Sequence, residues 1–190
     1  MVARKKSAKD KVYQLKISLK GGKPPIWRRV QVVADTTLFE LHKIIQITMG
    51  WWDSHLHQFI IHGEYFGIPY QDYYIEVINE TNIRLLDVIN AEKEKFIYEY
   101  DFGDSWEHVI LVEKILSNDP KIKYPVCIKG KRACPPEDCG GIWGYYNFLE
   151  IIQNPDHPEH NEMSEWWDAG EFDPEAFDLD KVNMRLKSNT

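Results

Sequence analysis

Two pairs of segments in which apolar and polar residues alternate constrain the fold of this chain more than any other feature. Residues 13–19 and 26–32 form the first pair, separated by a turn rich in glycine and proline. Residues 96–100 and 106–112 form the second pair, separated by a five-residue loop that contains Gly103. Alternation with a period of two places side chains of one kind on one face of a strand, and a short turn between two such strands is typical of a hairpin. The pattern therefore predicts two antiparallel hairpins, each with one buried face.

A helix is predicted directly after the first hairpin. Thr37 and Glu40 have the spacing of a capping box, and Gly50 stands where a C-terminal glycine is expected. The resulting opening of strand, strand and helix resembles that of β-grasp folds. Further helices are predicted in the last third of the chain, at residues 142–152, at residues 160–169 and from Asp173 onward. The chain is therefore predicted to be an α+β protein with an antiparallel or mixed sheet and with its helices concentrated in the C-terminal third.

Weaker patterns occupy the segments between these elements. A third strand is predicted at residues 56–62, a short edge strand at residues 73–78 and a helical turn at residues 85–89. Residues 119–141 are rich in proline, glycine and cysteine, and this composition predicts an irregular loop. Because no repeat or second boundary interrupts these elements, residues 11–190 are expected to form a single domain behind a flexible basic leader at residues 1–10.

The composition excludes several classes of protein. No apolar segment approaches the ~20 residues that a membrane-spanning helix needs. The 3 cysteines lie in one short segment, and an odd number does not fit the disulfide framework of a secreted protein. We therefore predict a cytoplasmic protein without a membrane partner.

Charge is distributed unevenly along the chain. The formal net charge is -7, yet residues 4–29 hold ten lysine and arginine residues against one acid, whereas residues 133–180 hold thirteen acids and neither lysine nor arginine. Such polarity steers a charged partner, here a protein or a nucleic acid, or it reflects two solvated faces of one fold. Guanidinium groups bind phosphate and indole rings stack on bases, although tryptophan also packs in cores. The candidate binding residues are Arg28, Arg29, Trp51, Trp106 and Trp143.

The loop of the second hairpin is the first candidate for catalysis. Asp101 and Asp104 are three residues apart on a tight turn, and their carboxylates suit a metal ion. The imidazole of His108 is a candidate ligand or general base. Alternatively, Asp and Gly are the residues that the turn itself requires, and His108 alternates in phase with Ile110, which predicts a side chain in the core.

Glu137 and Asp138 are further candidates for catalysis. Acids just before a predicted helix favour its dipole without any further function. If their loop lies over the same pocket as Asp101 and Asp104, the four carboxylates form a site for a metal such as magnesium, of the kind that handles phosphate esters. The sequence leaves both interpretations open.

Cys127, Cys134 and Cys139 are candidate zinc ligands because zinc binds thiolates, and His108 is a candidate for the remaining position. Their spacing lacks the C-x-x-C pair of common zinc sites. A reactive thiol is a second interpretation, although neighbouring acids disfavour a thiolate. Burial of the cysteines as small apolar side chains is the third.

His55 and His57 lie two residues apart in or beside the predicted third strand. Side chains with this spacing point the same way. Two metal ligands and a solvent-facing pair both fit this pattern, and we expect the solvent-facing pair.

Three longer segments resemble a known family. In one-letter code they read GWWDSHLHQF at residues 50–59, YEYDFGDSWEH at residues 98–108 and ACPPEDCGG at residues 133–141, the last followed by Gly144-Tyr145. They resemble the plasmid pRiA4b ORF-3-like family, and the resemblance runs from about residue 12 to residue 186. The resemblance implies a family of undetermined function, in which some members carry a transposon resolvase label and the association with plasmids and mobile elements points to DNA. The chain has no nucleophile arrangement like that of a serine recombinase, so that activity is not carried over.

Two functional hypotheses follow from these residues. The first is a noncatalytic binding or interaction module, associated with plasmids or mobile elements, that engages a protein or a nucleic acid. The second is a metal-dependent hydrolase or nuclease with zinc or magnesium as its cofactor. Its candidate catalytic residues are Asp101, Asp104, His108, Glu137 and Asp138.

Overall fold

One mixed sheet organises the residues that the structure, a computed structural model, describes: 10–69, 76–168 and 170–189. The strands are β1 (Lys11–Leu19), β2 (Trp27–Val33), β3 (His57–Ile61), β4 (Glu64–Gly67), β5 (Val77–Asn79), β6 (Lys95–Tyr100), β7 (Trp106–Ser117) and β8 (Val126–Lys131). Their order in the sheet is β5-β4-β3-β6-β7-β1-β2-β8. Only β4 and β5 run parallel, and the other neighbouring pairs described are antiparallel.

Five helices accompany the sheet in the described part of the chain. They are α1 (Leu38–Met49), α2 (Leu85–Val88), α3 (Gly141–Ile152), α4 (His160–Trp167) and α5 (Leu179–Asn189), together with a short 3-10 turn at Glu80–Asn82. The α+β class, the mixed sheet and the concentration of helices in the last third are therefore confirmed.

Both predicted hairpins are present, and the alternating apolar residues form the buried face of the sheet. Leu15 pairs with Val30 in the first hairpin, and Phe96 pairs with Ile110 in the second. The side chains of these residues are buried, and each contributes roughly 1.5–3 kcal/mol when it leaves water. β7 also pairs with β1, so the two hairpins form one continuous sheet.

α1 follows the first hairpin and packs its apolar face into the core. The capping box is present: the Thr37 hydroxyl accepts a hydrogen bond from the Glu40 backbone N–H, and the Glu40 carboxylate accepts one from the Thr37 N–H. Gly50 ends the helix with a φ of 101°, a conformation that glycine adopts without strain. Leu38, Leu41 and other residues on the inner face are buried. The chain then enters the loop that leads to β3.

Two predictions from the sequence are wrong in the C-terminal half. Residues 126–131 were predicted to be irregular, but they form the edge strand β8, in which Cys127 pairs with Val30 of β2. The last helix was predicted from Asp173, but α5 begins at Leu179. The Asp173 carboxylate instead accepts a hydrogen bond from the Glu175 N–H in a turn. The expected basic leader, except for Asp10, and most of the edge strand expected at residues 73–78 lie outside the described residues.

Glycines allow the start of α3 to pack tightly against two loops. A Cβ atom on Gly144 would lie 1.8 Å from the carbonyl oxygen of Cys139, and one on Gly141 would lie 2.4 Å from that of Asp104. Both distances are far below van der Waals contact. The segment around residues 133–141 is therefore held against the β6–β7 loop.

The change Gly144→Ala is expected to lower the free energy of unfolding by about 1–3 kcal/mol or more, because the new methyl group collides with backbone that has little freedom to move. Gly22→Ala is the matched control, since its Cβ would meet other atoms at 3.4 Å or beyond. Urea denaturation of both variants measures the difference. Equal stability of the two variants would contradict the packing described.

Candidate functional site

Three loops meet at one end of the central strands. They are residues 50–56 between α1 and β3, residues 101–105 between β6 and β7, and residues 133–140 before α3. The Asp101 N–H donates to the Leu56 carbonyl over 2.8 Å, which joins the first two loops. The Gly140 N–H donates to Asp104 Oδ2 over 3.1 Å, which joins the third loop to the second. The second and third loops, which carry the predicted acids, are therefore in contact.

The Tyr100 hydroxyl, at the end of β6, fastens the first loop to the third. It donates to Glu137 Oε1 over 2.5 Å and accepts hydrogen bonds from the backbone N–H groups of Ser54 and His55. Glu137 Oε2 accepts a further hydrogen bond from the Trp52 N–H. Burial, with the Glu137 hydrogen bond as the next cause, raises the pKa of Tyr100 well above its usual value. Tyr100 therefore stays protonated. Its hydrogen bonds and those of Glu137 hold the first and third loops together.

His55, Asp101 and Asp138, which we call the loop cluster, come together from the three loops. The His55 imidazole has Nδ1 3.8 Å from Asp101 Oδ2 and Nε2 3.2 Å from Asp138 Oδ1. Nε2 is enclosed but makes no hydrogen bond of acceptable geometry. One ligand atom from each residue lies within 4.8 Å of the others. An imidazole and two carboxylates are a ligand set suited to a divalent cation.

Both aspartates of the loop cluster have a left-handed backbone conformation. Asp101 and Asp138 have φ angles of 56° and 59°, in the left-handed region where few residues other than glycine, Asn and Asp are found. Asp101 Oδ1 accepts from the Gly103 N–H over 2.9 Å, which orients the carboxylate and leaves Oδ2 toward His55. Asp138 is exposed, with 67% of its side-chain surface accessible. The loop cluster thus has one anchored carboxylate and one open to solvent.

A second group, the histidine stack, lies beside the loop cluster. The rings of His42 and His57 are 3.4 Å apart between centroids and parallel to within 2°. Four hydrogen bonds connect His42 to Gln46, Asp53 and Tyr98 in a closed ring. They are Asp53 N–H to Gln46 Oε1 (3.1 Å), Gln46 Nε2 to Tyr98 Oη (2.9 Å), Tyr98 Oη to His42 Nδ1 (2.8 Å) and His42 Nε2 to Asp53 Oδ1 (2.7 Å).

This closed ring of hydrogen bonds determines which nitrogen of the His42 imidazole carries the proton. Because the Asp53 N–H needs an acceptor, Gln46 presents Oε1 to it and donates from Nε2 to the Tyr98 hydroxyl. The Asp53 carboxylate can only accept, so the proton of the neutral His42 is on Nε2 and Tyr98 donates to Nδ1. Burial lowers the pKa of His42 to about 4, with the charge of His57 as the next cause, so this imidazole is neutral at pH 7.

The histidine stack is unsuited to chelating one metal ion, although its ligand atoms lie within 4.8 Å of one another. The lone pairs of stacked rings lie in two parallel planes, here 3.4 Å apart, so they cannot converge on one ion. His42 Nε2 carries a proton for Asp53, and His57 Nε2 is 2.8 Å from Glu80 Oε1. We therefore interpret the stack as a structural element that stabilises the loop carrying His55 through the hydrogen bond between His42 and Asp53.

The expectation of a solvent-facing pair at His55 and His57 is wrong. His57 is buried between His42 and Glu80, and His55 precedes β3 with 28% of its side-chain surface accessible. Sequence reasoning missed His42, Asp53 and Glu80 as well. A signal was present: His42 and Gln46 share the spacing of the apolar face of α1, which marks them as buried polar residues.

His108 and the cysteines take no part in the loop cluster, although Cys139 directly follows Asp138 in the chain. His108 is fully buried, with Nδ1 2.9 Å from the Trp106 carbonyl, and burial lowers its pKa to about 4. Burial raises the pKa of the thiol of Cys139 to about 12 and that of Cys134 further still, and it also raises the pKa of Cys127. Within residues 10–69, 76–168 and 170–189, no cysteine belongs to a group of three ligand atoms within 4.8 Å. His108 and the three thiols are therefore neutral at pH 7; His108 and Cys127 are buried in the core, and Cys134 and Cys139 are partly buried.

Most of the candidate binding residues are also engaged in the fold. Arg28 is buried, donates to the carbonyls of Trp27, Thr48 and Lys131, and lies 4.4 Å from the Phe177 ring centroid. Arg29 pairs with both carboxylate oxygens of Glu113. Of the candidate tryptophans, Trp51 and Trp106 are buried and Trp143 is 83% exposed. No helix among the described residues has the length and apolar character to cross a membrane.

Tyr98→Phe is expected to lower the free energy of unfolding by about 1–3 kcal/mol, because it leaves Gln46 Nε2 and His42 Nδ1 without partners in the core. Tyr13→Phe, which removes one hydrogen bond to the Ile89 carbonyl, is the control and should lose less. Chemical denaturation of the two variants compares them. A smaller loss for Tyr98→Phe would argue against the closed ring.

The free energy of unfolding is expected to fall as the pH falls from about 6.5 to about 4. The pKa values of His42 and His108 are both lowered to about 4, so in this range the unfolded chain binds protons that the native protein does not. His108→Gln should flatten this slope, because it removes one of the two buried imidazoles. Urea denaturation at several pH values measures the slopes. An unchanged slope in His108→Gln would refute a neutral buried imidazole.

Comparison with known proteins identifies relatives along nearly the whole chain. A family model described as plasmid pRiA4b ORF-3-like protein matches residues 11–181. The uncharacterized protein y4hQ of Sinorhizobium fredii is 35% identical over 178 residues, covering 92% of this chain and 90% of that protein. The crystal structure of MM3350, a protein of unknown function from Methanosarcina mazei Go1, is similar with a TM-score of 0.83 and 41% identity, covering 90% of this chain and 96% of that one. The names of both relatives leave their function open. The resemblance noted in the sequence is confirmed, and the chain belongs to the plasmid pRiA4b ORF-3-like protein family.

Proposed function

We propose that the protein is a metal-dependent hydrolase whose divalent cation is held by the loop cluster. The observation that carries this proposal is the meeting of His55, Asp101 and Asp138, from three separate loops, with ligand atoms within 4.8 Å of one another. Of the two hypotheses from the sequence, the hydrolase is the one supported here, because two of its five candidate residues, Asp101 and Asp138, lie in this cluster. The nucleic-acid version of the other has less support, because Arg28, Trp51 and Trp106 are buried.

The ligand set is consistent with a catalytic rather than a purely structural ion. Three protein ligands leave coordination positions open for water and substrate, as catalytic sites require. An ion in this position would act as a Lewis acid and lower the pKa of a bound water toward neutrality. The exposed carboxylate of Asp138 gives the loop cluster one ligand that faces solvent.

The remaining acids near the loop cluster support its geometry. Asp104 holds the Gly140 N–H, and Glu137 holds Tyr100 and Trp52, so neither is proposed as a ligand. His55 is positioned through its backbone N–H by Tyr100, and Asp101 through its Oδ1 by Gly103. Ligands positioned in this way need little rearrangement to receive an ion.

After removal of metal with a chelator, the protein is expected to bind about one Mn²⁺ or Zn²⁺ per chain and then to hydrolyse bis(p-nitrophenyl) phosphate or p-nitrophenyl acetate. Asp138→Asn should weaken metal binding about tenfold or more and remove the hydrolysis, because one of three ligands is lost. Equilibrium dialysis with inductively coupled plasma mass spectrometry measures the ion, and release of nitrophenol measures hydrolysis.

Asp156→Asn is the matched control, since Asp156 is an exposed aspartate outside the loop cluster. This variant should keep both properties. Failure of the wild-type protein to bind an ion, or equal binding by Asp138→Asn, would refute the proposed site. A bound ion without hydrolysis of either ester class would refute the hydrolase and retain the ion site.

A further inference from the structure

A cavity of about 330 Å³ lies beside the loop cluster, between α3 and α4. Its apolar wall contains Phe148, Met163 and Trp166. Phe148 is buried, whereas Trp166 is 47% exposed, and their ring centroids are 6.0 Å apart in an edge-to-face arrangement. The volume is at the small end of the range found for ligand sites. The cavity therefore has space and an apolar wall for a small group.

The same cavity is lined by carboxylates. Asp138, Glu159 and Glu162 face it, and no lysine or arginine is among its lining residues. Among the residues that the structure describes, no cationic side chain lies within 4.0 Å of the carboxylates of Glu159 or Glu162. The surrounding segment, residues 133–180, has thirteen acids and no lysine or arginine. The potential in the cavity is therefore negative and is not compensated by its own walls.

Acids and aromatic rings in one cavity favour a particular class of ligand. Carboxylates bind a cation, and ring faces such as that of Trp166 attract it further. A small inorganic ion gains nothing from Phe148 and Met163, whereas an organic cation covers them with its apolar stem.

We infer that this cavity is a binding site for an organic cation, an ammonium or guanidinium group carried on an apolar stem. The charged group lies between Glu159 and Glu162, and the stem lies against Phe148, Met163 and Trp166. Both a free amine and the side chain of a lysine or arginine in another protein have this chemistry. The site does not depend on the proposed hydrolase, because Glu159, Glu162 and the apolar wall take no part in holding the metal ion, although Asp138 belongs to both.

Isothermal titration with butylguanidinium and butylurea tests the site, because the two molecules have nearly the same shape and differ in charge. The protein is kept in chelator, so that the loop cluster holds no metal and failure of the hydrolase proposal does not affect the result. Butylguanidinium should bind about tenfold more tightly than butylurea, and less tightly as salt rises. Equal binding of the two, or no binding of butylguanidinium, would overturn the inference.

Glu162→Gln should weaken butylguanidinium binding about tenfold, since one carboxylate of the cavity is lost. Glu165→Gln is the matched control: Glu165 is exposed on the same helix but does not line the cavity. If the two variants bind alike, the site is wrongly placed. Titration with an acetylated and amidated Gly-Arg-Gly tripeptide separates the sources. Binding like that of butylguanidinium supports a partner's side chain, and binding of butylguanidinium alone supports a free amine or guanidine.

Discussion

Two tyrosine hydroxyls of the strand β6 hold the candidate site together. Tyr98 and Tyr100 are two residues apart in the strand, so both side chains lie on its buried face, and both reach the loop at residues 50–56. Tyr98 does so through the closed ring that includes His42 and Asp53, and Tyr100 does so through the N–H groups of Ser54 and His55. Tyr100 also holds Glu137 of the third loop. The position of His55 relative to the acids is therefore set by the sheet rather than by the loops themselves.

The histidines near β6 differ in what their surroundings allow. His42 and His108 are buried and have lowered pKa values, which makes them neutral parts of the core. His57 shares its environment with the stacked ring of His42 and with Glu80. His55 is partly exposed and has two carboxylates within 3.8 Å of its ring nitrogens. Only His55 among these four combines access to solvent with neighbouring ligands, which is why the functional proposal is placed there.

Local patterns in the sequence predicted local structure well. Alternation predicted both hairpins, because one face of each strand is buried against the same core. The capping residues Thr37 and Glu40 predicted the start of α1, because their side chains bond to the adjacent backbone. β8 was missed because it lies in a segment rich in proline, glycine and cysteine and is an edge strand that depends on pairing with β2. The start of α5 was misplaced because Asp173 caps a turn instead of a helix.

The candidate site was predictable only in part, since it depends on contacts between distant segments. Asp101 and Asp138 were candidates because their carboxylates can bind a metal ion. The sequence around either residue does not show that the two meet at His55. Asp104, Glu137 and His108 have the same residue types, yet hydrogen bonds and burial engage them in the fold. Residue type therefore indicated the chemistry, and tertiary contacts decided which residues are available for it.

Asp138 belongs both to the loop cluster and to the wall of the neighbouring cavity. A metal ion at one and an organic cation at the other would draw on the negative charge of a single carboxylate and would repel each other. Thermodynamic reciprocity then requires each ligand to weaken the binding of the other by the same factor. The position of this one side chain would therefore make the two proposed sites antagonists, with a cation at either site lowering the affinity of the other.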